Sequence, residues 1–179
     1  MRILGIDPGF ERLGIAVLEK PASAVGRTKS AFGETKSARG YGAPKKDVVI
    51  FSECFKTSAK LPFSERLRLI GEEVKKIIKK YKPEILAIET LFLNTNQKTV
   101  MRVAEARGVI IYEATSAGLD IFEASPPQIK LATTGYGKAD KAQINKMVKL
   151  LVKIDSKEKL DDEIDAIAIA LTAWAHTKF

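Results

Sequence analysis

The alternation of apolar and polar positions divides the chain into short strands and amphipathic helices. Short apolar runs predict five strands, at 2–7, 13–20, 48–56, 84–89 and 119–124. Helical spacing predicts five helices, at 64–82, 98–117, 126–132, 141–152 and about 162–176. The first three strands follow one another directly, which predicts an antiparallel meander, and later strands alternate with helices. This order predicts an α/β layer sandwich with a mixed five-stranded sheet, in one domain over residues 1–179.

Single acids end two of the predicted buried strands, and more acids begin the last helix. Asp7 follows the first strand and Glu89 the fourth, while Asp161, Asp162, Glu163 and Asp165 crowd the start of the last helix. The helix dipole explains one or two acids in a first turn. Asp165 lies a turn deeper, on the same face as Asp162. If the two strands are neighbours, four carboxylates converge there, and such an all-oxygen ligand set suits Mg²⁺ or Mn²⁺. Pairs of these ions hydrolyse phosphodiesters.

Composition narrows the class of protein. The chain has 179 residues, 45% of them hydrophobic, and a net charge of +8, which invites nucleic acid as a partner. No apolar run is long enough for a membrane span, and a single cysteine, Cys54, fits a reducing cytoplasm. We interpret Cys54 as a small buried apolar residue of its strand. His176, the one histidine, lies near the end of the sequence, so a nucleophile activated by histidine is improbable.

The positive charge is concentrated in one segment. Residues 22–46 contain six basic residues and one acid among many Gly, Ser and Ala residues, without an apolar period. We therefore interpret 22–46 as a flexible basic insert between the second and third strands. Its basic side chains either contact the phosphates along a DNA backbone or are simply solvated.

Five ordered sequence blocks resemble the RuvC family of Holliday-junction resolvases. They are GIDPGF (5–10), AIETLF (87–92), EARG (105–108), GYGKADK (135–141) and DEIDAIAIA (162–170). The resemblance implies an RNase H-like fold with helices on both faces of the sheet. It also implies a homodimer that cuts four-way DNA junctions symmetrically with Mg²⁺, in recombination and repair. By this resemblance the catalytic metal ligands are Asp7, Glu89, Asp162 and Asp165, whereas Asp161 and Glu163 are dipole or surface acids.

Further residues are assigned by the same resemblance. Phe92 matches an aromatic that contacts bases at the junction, although a loop residue that covers the core is an equal alternative. Lys130, Lys138 and Lys141 are expected to bind DNA, and Lys141 to neutralise charge at the scissile phosphate. The family implies two Mg²⁺ ions, with Mn²⁺ as a substitute, and products with 5′-phosphate and 3′-hydroxyl ends. It also implies the branch-migration proteins RuvA and RuvB as partners. The insert at 22–46 departs from the family pattern.

Three alternatives compete with this interpretation; the first is discounted, and the other two stay open. Actin-like ATPases share the first motif, but they need two lobes and favour a hydroxyl residue where Phe10 stands. RNase H-like nucleases that process ribosomal RNA precursors share the first strand motif. A catalytically idle nucleic-acid binding module is the third, although uncompensated acids repel phosphate.

Overall fold

A computed structural model describes residues 1–19, 47–91, 97–153 and 159–177 of the chain. The strands are β1 (Arg2–Asp7), β2 (Arg12–Glu19), β3 (Asp47–Lys56), β4 (Ile85–Glu89), β5 (Asp120–Ala124) and β6 (Val152–Lys153). The helices are α1 (Phe63–Tyr81), α2 (Gln97–Ser116), α3 (Pro126–Thr134), α4 (Lys141–Leu151) and α5 (Asp161–His176). The insert at 22–46 and Phe92 lie outside the described residues.

All six strands form one mixed sheet in the order β5-β4-β1-β2-β3-β6. The predicted meander is confirmed, because β1 pairs antiparallel with β2, and β2 with β3. The predicted count of five strands is wrong by one. Helix α4 ends at Leu151, and Val152, which is 1% exposed, enters the sheet beside Asp47 of β3. A two-residue strand is too short to show a period of two, so the apolar run appeared to continue the helix.

Helices cover both faces of the sheet, and each face has its own apolar core. Alternate residues of one strand therefore belong to different cores: Ile3 packs on the face of α3, α4 and α5, whereas Leu4 packs on the face of α1 and α2. Along β1, Asp7 follows Ile3 at even spacing, so it lies on the α5 face. Glu89 is on that face too, because it lies two residues after Ala87 of the same core.

Helix α5 lies directly on the backbone of β1 and β2. A Cβ atom on Gly5 would stand 2.2 Å from the carbonyl oxygen of Ala166, and one on Gly14 would stand 2.1 Å from that of Asp162. Both distances are far below van der Waals contact, so only glycine permits this approach. The two glycines therefore set how close the acidic end of α5 comes to the sheet. No helix within the described ranges is long and apolar enough to cross a membrane.

Candidate active site

Asp7 and Glu89 lie side by side where two neighbouring strands end. Strands β1 and β4 are parallel, and Ile6 pairs with Ile88, so the next residue of each strand is the acid. The condition on which the convergence of the two acids depended, that the strands are neighbours, is therefore met. The ends of adjacent parallel strands are a common place for a ligand in α/β proteins.

Helix α5 adds a third carboxylate to the same place. Asp7, Glu89 and Asp165 line one open cavity together with Lys130 of α3 and Lys141 of α4. Its apolar wall is formed by Pro126, Ile129, Ile144, Ala168 and Ile169. Five of the eight residues that the sequence assigned to a site therefore meet in one cavity.

Asp162 lies on a neighbouring part of the surface and binds a cation of the chain itself. Arg12, at the start of β2, donates hydrogen bonds from Nε (3.0 Å) and Nη2 to Oδ2 of Asp162. The Sγ atom of Cys54 lies 3.5 Å from the same oxygen. Asp162 is absent from the cavity lining, one helical turn from Asp165.

Two of the predicted DNA-binding lysines contact or line the cavity, and the third does not. Lys141 begins α4 after an Asp140 cap. Its Nζ atom lies 3.3 Å from Oδ2 of Asp165 and 3.4 Å from Oδ2 of Asp161. Lys130 is half-buried in the lining, whereas Lys138 is exposed in the turn between α3 and α4. The DNA-binding roles of the three lysines stay predictions.

Burial and mutual repulsion shift the carboxyl groups of the cavity. Burial, followed by the charges of Asp165, Glu89 and Asp162, raises the pKa of Asp7 from 3.8 to about 7. Burial and Asp165 also raise the pKa of Glu89. Burial likewise raises the pKa of Asp165, although Lys141 opposes the rise. The pKa of Asp162 is lowered instead. Burial alone would raise this pKa, but the hydrogen bonds from Arg12 and Cys54 outweigh the effect of burial.

Burial is the largest cause of these shifts, and repulsion between the carboxylates adds to it, so the ionised form of the cavity is unfavourable without a further cation. An added divalent cation would relieve the repulsion that raises the pKa of Asp7, and carboxylate oxygens are the ligands that Mg²⁺ and Mn²⁺ prefer. The donor set therefore fits a hard divalent ion. Within the ranges that the structure describes, no three His, Cys, Asp or Glu side chains already form a cage for a metal. Arg12 and Lys141 hold Asp162 and Asp165, and the four-carboxylate ligand set stays a prediction.

Glu163, one of the two acids predicted to complement the helix dipole or to lie on the surface, is buried. Glu163 is 8% exposed. Its Oε2 accepts a hydrogen bond of 2.5 Å from Ser52 of β3 and lies 3.4 Å from Nζ of Lys159. Its Oε1 accepts the backbone N–H of Leu160 at 3.2 Å, so it also caps α5. Asp161 remains on the surface. Of the two expectations for Glu163, the surface position is wrong, because α5 packs against β3, which the spacing along the helix does not reveal. Its place in the first turn of α5 agrees with the other expectation, an acid that complements the helix dipole.

Arg12 and Cys54 are contacts that the sequence analysis missed. Cys54 is only partly buried, and its thiol contacts Asp162 rather than apolar neighbours alone. Gly14 stands between them in space: it pairs with Cys54 across the sheet and follows Arg12 by two residues on the same face. The glycine in the middle of a strand was the available signal, since it marks a close approach of another backbone.

Comparison with known proteins identifies the family of the chain. The sequence model of the family described as "Crossover junction endodeoxyribonuclease RuvC" matches residues 39–173. The chain is 37% identical over 179 residues to the protein of that name from Thermosipho melanesiensis, and the match covers 100% of both. The chain belongs to the RuvC family of crossover junction endodeoxyribonucleases. It is therefore an enzyme of a nuclease family, and divalent metal use is general in that family.

Other RuvC proteins extend the comparison to structure. The RuvC protein of Brevibacillus brevis is 38% identical, with 100% of this chain and 93% of that protein covered. The structure of Thermus thermophilus RuvC in complex with Holliday junction substrate has a TM-score of 0.77 at 28% identity, covering 96% of this chain and 92% of that one. The expected RNase H-like α/β fold is thereby confirmed.

Proposed function

We propose that this enzyme resolves Holliday junctions by paired, symmetric nicks in opposing DNA strands, during recombination and repair. The observation that carries the proposal is the cavity at the ends of β1 and β4, where Asp7, Glu89 and Asp165 face Lys130 and Lys141. Acids and lysines in one open cavity suit a phosphodiester, which needs both a cation site and positive side chains. The Thermus thermophilus relative, whose structure contains a Holliday junction, supplies the substrate class.

Mg²⁺ is the proposed metal, with two ions per site, and Asp7, Glu89, Asp165 and Asp162 are the residues that would hold them. When bound, such ions activate water and stabilise the leaving oxygen of an in-line displacement. The expected products carry 5′-phosphate and 3′-hydroxyl ends.

Lys141 has the role of compensating charge at the reacting phosphate. Burial would lower its pKa, but Asp165 and Asp161 outweigh burial and raise it, so Lys141 stays cationic. Its position at the N-terminus of α4 adds the partial positive charge of the helix to that of the ammonium group. The apolar wall of Ile129 and Ile144 excludes water from one side of the cavity.

A homodimer is the proposed assembly, because two cuts on opposing strands need two sites related by two-fold symmetry. Helix α2 supports this proposal. It exposes Met101 (67%) and Tyr112 (68%), with Gly108 between them and open space above that glycine. These positions are spaced by seven and four residues and so share a helix face, on which a second copy of α2 could pack. Interaction with RuvA and RuvB, and a cytoplasmic location, are proposals that rest on family membership alone.

Phe92, Lys138 and the insert at 22–46 complete the proposed DNA contacts. Phe92 follows β4 by three residues and would stack on an unpaired base, a contact worth about 1–3 kcal/mol. Phe92→Ala should therefore lower the rate of junction cleavage more than the affinity for the junction, since phosphate contacts supply most of the affinity. Deletion of 22–46 should reduce the salt dependence of junction binding if the insert meets phosphates.

The test of the proposed function compares DNA substrates under single-turnover conditions with Mg²⁺. A mobile four-way junction, a matched linear duplex and a splayed-arm substrate are incubated with the enzyme, and the labelled products are sized. We expect paired nicks in the junction only. Glu89→Gln should abolish cleavage, whereas Glu72→Gln, an exposed change on the opposite side of the sheet, should not.

Other outcomes would favour the alternatives. Equal cutting of duplex and junction would indicate a general nuclease. Cleavage of structured ribosomal RNA precursors with the junction left intact would indicate the RNA-processing class. Junction binding without any cleavage would indicate a binding module.

A further inference from the structure

Arg12 and Asp162 form a contact that the proposed reaction does not use. Arg12 places both Nε and Nη2 on one oxygen of Asp162, and Cys54 approaches that same oxygen. The oxygen is therefore surrounded by donors of the chain. A residue expected to bind a metal ion is held instead by a monovalent cation at the start of β2.

The Arg12–Asp162 pair is placed so that it can open. The side chain of Arg12 is 47% exposed and that of Asp162 is 22% exposed. Ion pairs at such partly exposed sites contribute little free energy, because water solvates both charges when they separate. Arg12 can thus turn outward from the end of its strand without disturbing the core, while Asp162 stays fixed on α5 above Gly14.

A second cation stands next to Arg12 on the surface. Lys56 of β3 pairs directly with Arg12 across the sheet, so both side chains leave the same face. Like charges directly opposite one another are unfavourable unless an anion lies between or beside them. In the free protein Asp162 neutralises Arg12, the nearer of the two cations. If Asp162 binds another cation instead, the positive charges of Arg12 and Lys56 are left without a neutralising partner.

The position of this pair relative to the cavity indicates the anion that would replace Asp162. Lys130 and Lys141 stand at the cavity on the α3–α4 side. Arg12 begins β2 and Lys56 ends β3, and these two strands continue the sheet on the side of β1 away from β4. A nucleic-acid strand that crosses the carboxylates would therefore meet cations on both sides. The two donors that Arg12 offers to one oxygen of Asp162, Nε and Nη2, are a pair that a guanidinium group can also offer to two oxygens of a phosphate.

We propose that Arg12 exchanges partners during the reaction cycle: it holds Asp162 in the free enzyme and binds a DNA phosphate next to the scissile one when a divalent ion takes Asp162. This inference rests on the proposed function and adds to it a positioning residue and a phosphate subsite formed by Arg12 and Lys56. The exchange links the two ligands, because metal binding frees the cation that DNA needs, and DNA removes the cation that competes with the metal.

The first measurement uses Ca²⁺ alone as a probe, with no DNA present. Calorimetric titration of Arg12→Gln should show Ca²⁺ binding about two- to five-fold tighter than in the unmutated protein, because the competing ion pair is gone. Arg68→Gln is the matched control: Arg68 is similarly exposed (51%) and pairs with Glu65 and Glu72 on α1. The control should leave the affinity for Ca²⁺ unchanged. Melting curves in chelator verify that both variants are folded.

The second measurement uses a four-way junction in the presence of Ca²⁺. Arg12→Gln should bind the junction more weakly, and the slope of log affinity against log salt should fall by about 0.9, the value for one phosphate contact. Arg12→Lys, which keeps the charge, should retain the slope.

Unchanged or weaker Ca²⁺ binding by Arg12→Gln, or an unchanged salt slope, would overturn the exchange. Failure of the unmutated protein to bind Ca²⁺ or to prefer the junction would instead overturn the proposed function. The two failures are thus distinguishable.

Discussion

Replacing Asp7 by Asn should stabilise the metal-free protein, and the gain should grow with pH. The pKa of Asp7 is raised from 3.8 to about 7 in the folded protein by burial and by the neighbouring carboxylates. Between these two values the unfolded chain releases the proton and the folded chain keeps it. The free energy of unfolding therefore falls as pH rises through this window. Asn resembles the protonated acid and never ionises, so the variant avoids the loss.

The size of the effect follows from the width of that window. Each pH unit inside it costs about 1.4 kcal/mol, and the whole window about 4 kcal/mol. Asp7 is half-buried, so screening by solvent reduces this upper bound. We expect the difference in unfolding free energy between Asp7→Asn and the unmutated protein to increase by about 2–3 kcal/mol from about pH 4.5 to about pH 7.5.

Urea unfolding in chelator at the two pH values measures this difference. Asp120→Asn provides the control, because Asp120 is exposed and pairs with Ile85 at the opposite end of the sheet. Its effect should stay within about 0.5 kcal/mol at both pH values. Added Mg²⁺ at about 100 times its Kd should stabilise the unmutated protein by about 2.7 kcal/mol and Asp7→Asn by less. A difference that stays flat with pH, or a variant less stable near neutrality, would refute the argument that unrelieved carboxylate repulsion marks the metal site.

Three further changes separate the roles of neighbouring residues. In chelator, Asp162→Asn should lower the free energy of unfolding, measured in urea, by up to about 1 kcal/mol, because it breaks the ion pair with Arg12. This change is opposite in sign to that of Asp7→Asn, and a gain in stability would contradict the pairing. Gly14→Ala should lower the free energy of unfolding, measured in urea, by at least about 2 kcal/mol, since its Cβ would overlap the backbone of α5. Glu163→Gln should cost about 1–3 kcal/mol in the same assay, because buried hydrogen-bond partners are left unsatisfied; a neutral result would return Glu163 to the surface acids.

Much of the fold could be predicted from the sequence because its signals are local. Each strand of five or more residues carries its own apolar run, and each helix carries its own periodicity. Some helices also carry a cap, such as the Asp140–Gln143 capping box of α4. The neighbourhood of β1 and β4 was only a condition of the sequence argument, and it is the sheet order that meets it. Strand β6 was not predicted, because two residues are too few to show the alternation of a strand.

The candidate site divides in the same way between local and long-range information. Asp7, Glu89, Asp165 and Lys141 could be selected by residue type, spacing and family resemblance, and the structure brings all four to one cavity. The sequence could not predict which cation neutralises which acid. Arg12 and Asp162 are 150 positions apart, and Ser52 and Glu163 are 111 apart. Such pairs depend on the angle and depth at which α5 packs on the sheet, and that packing is fixed by contacts of Gly5 and Gly14 with a helix at the far end of the chain. The sequence alone therefore determined the chemistry of the site, whereas the tertiary structure decided its charge partners, because these arise only when distant segments pack together.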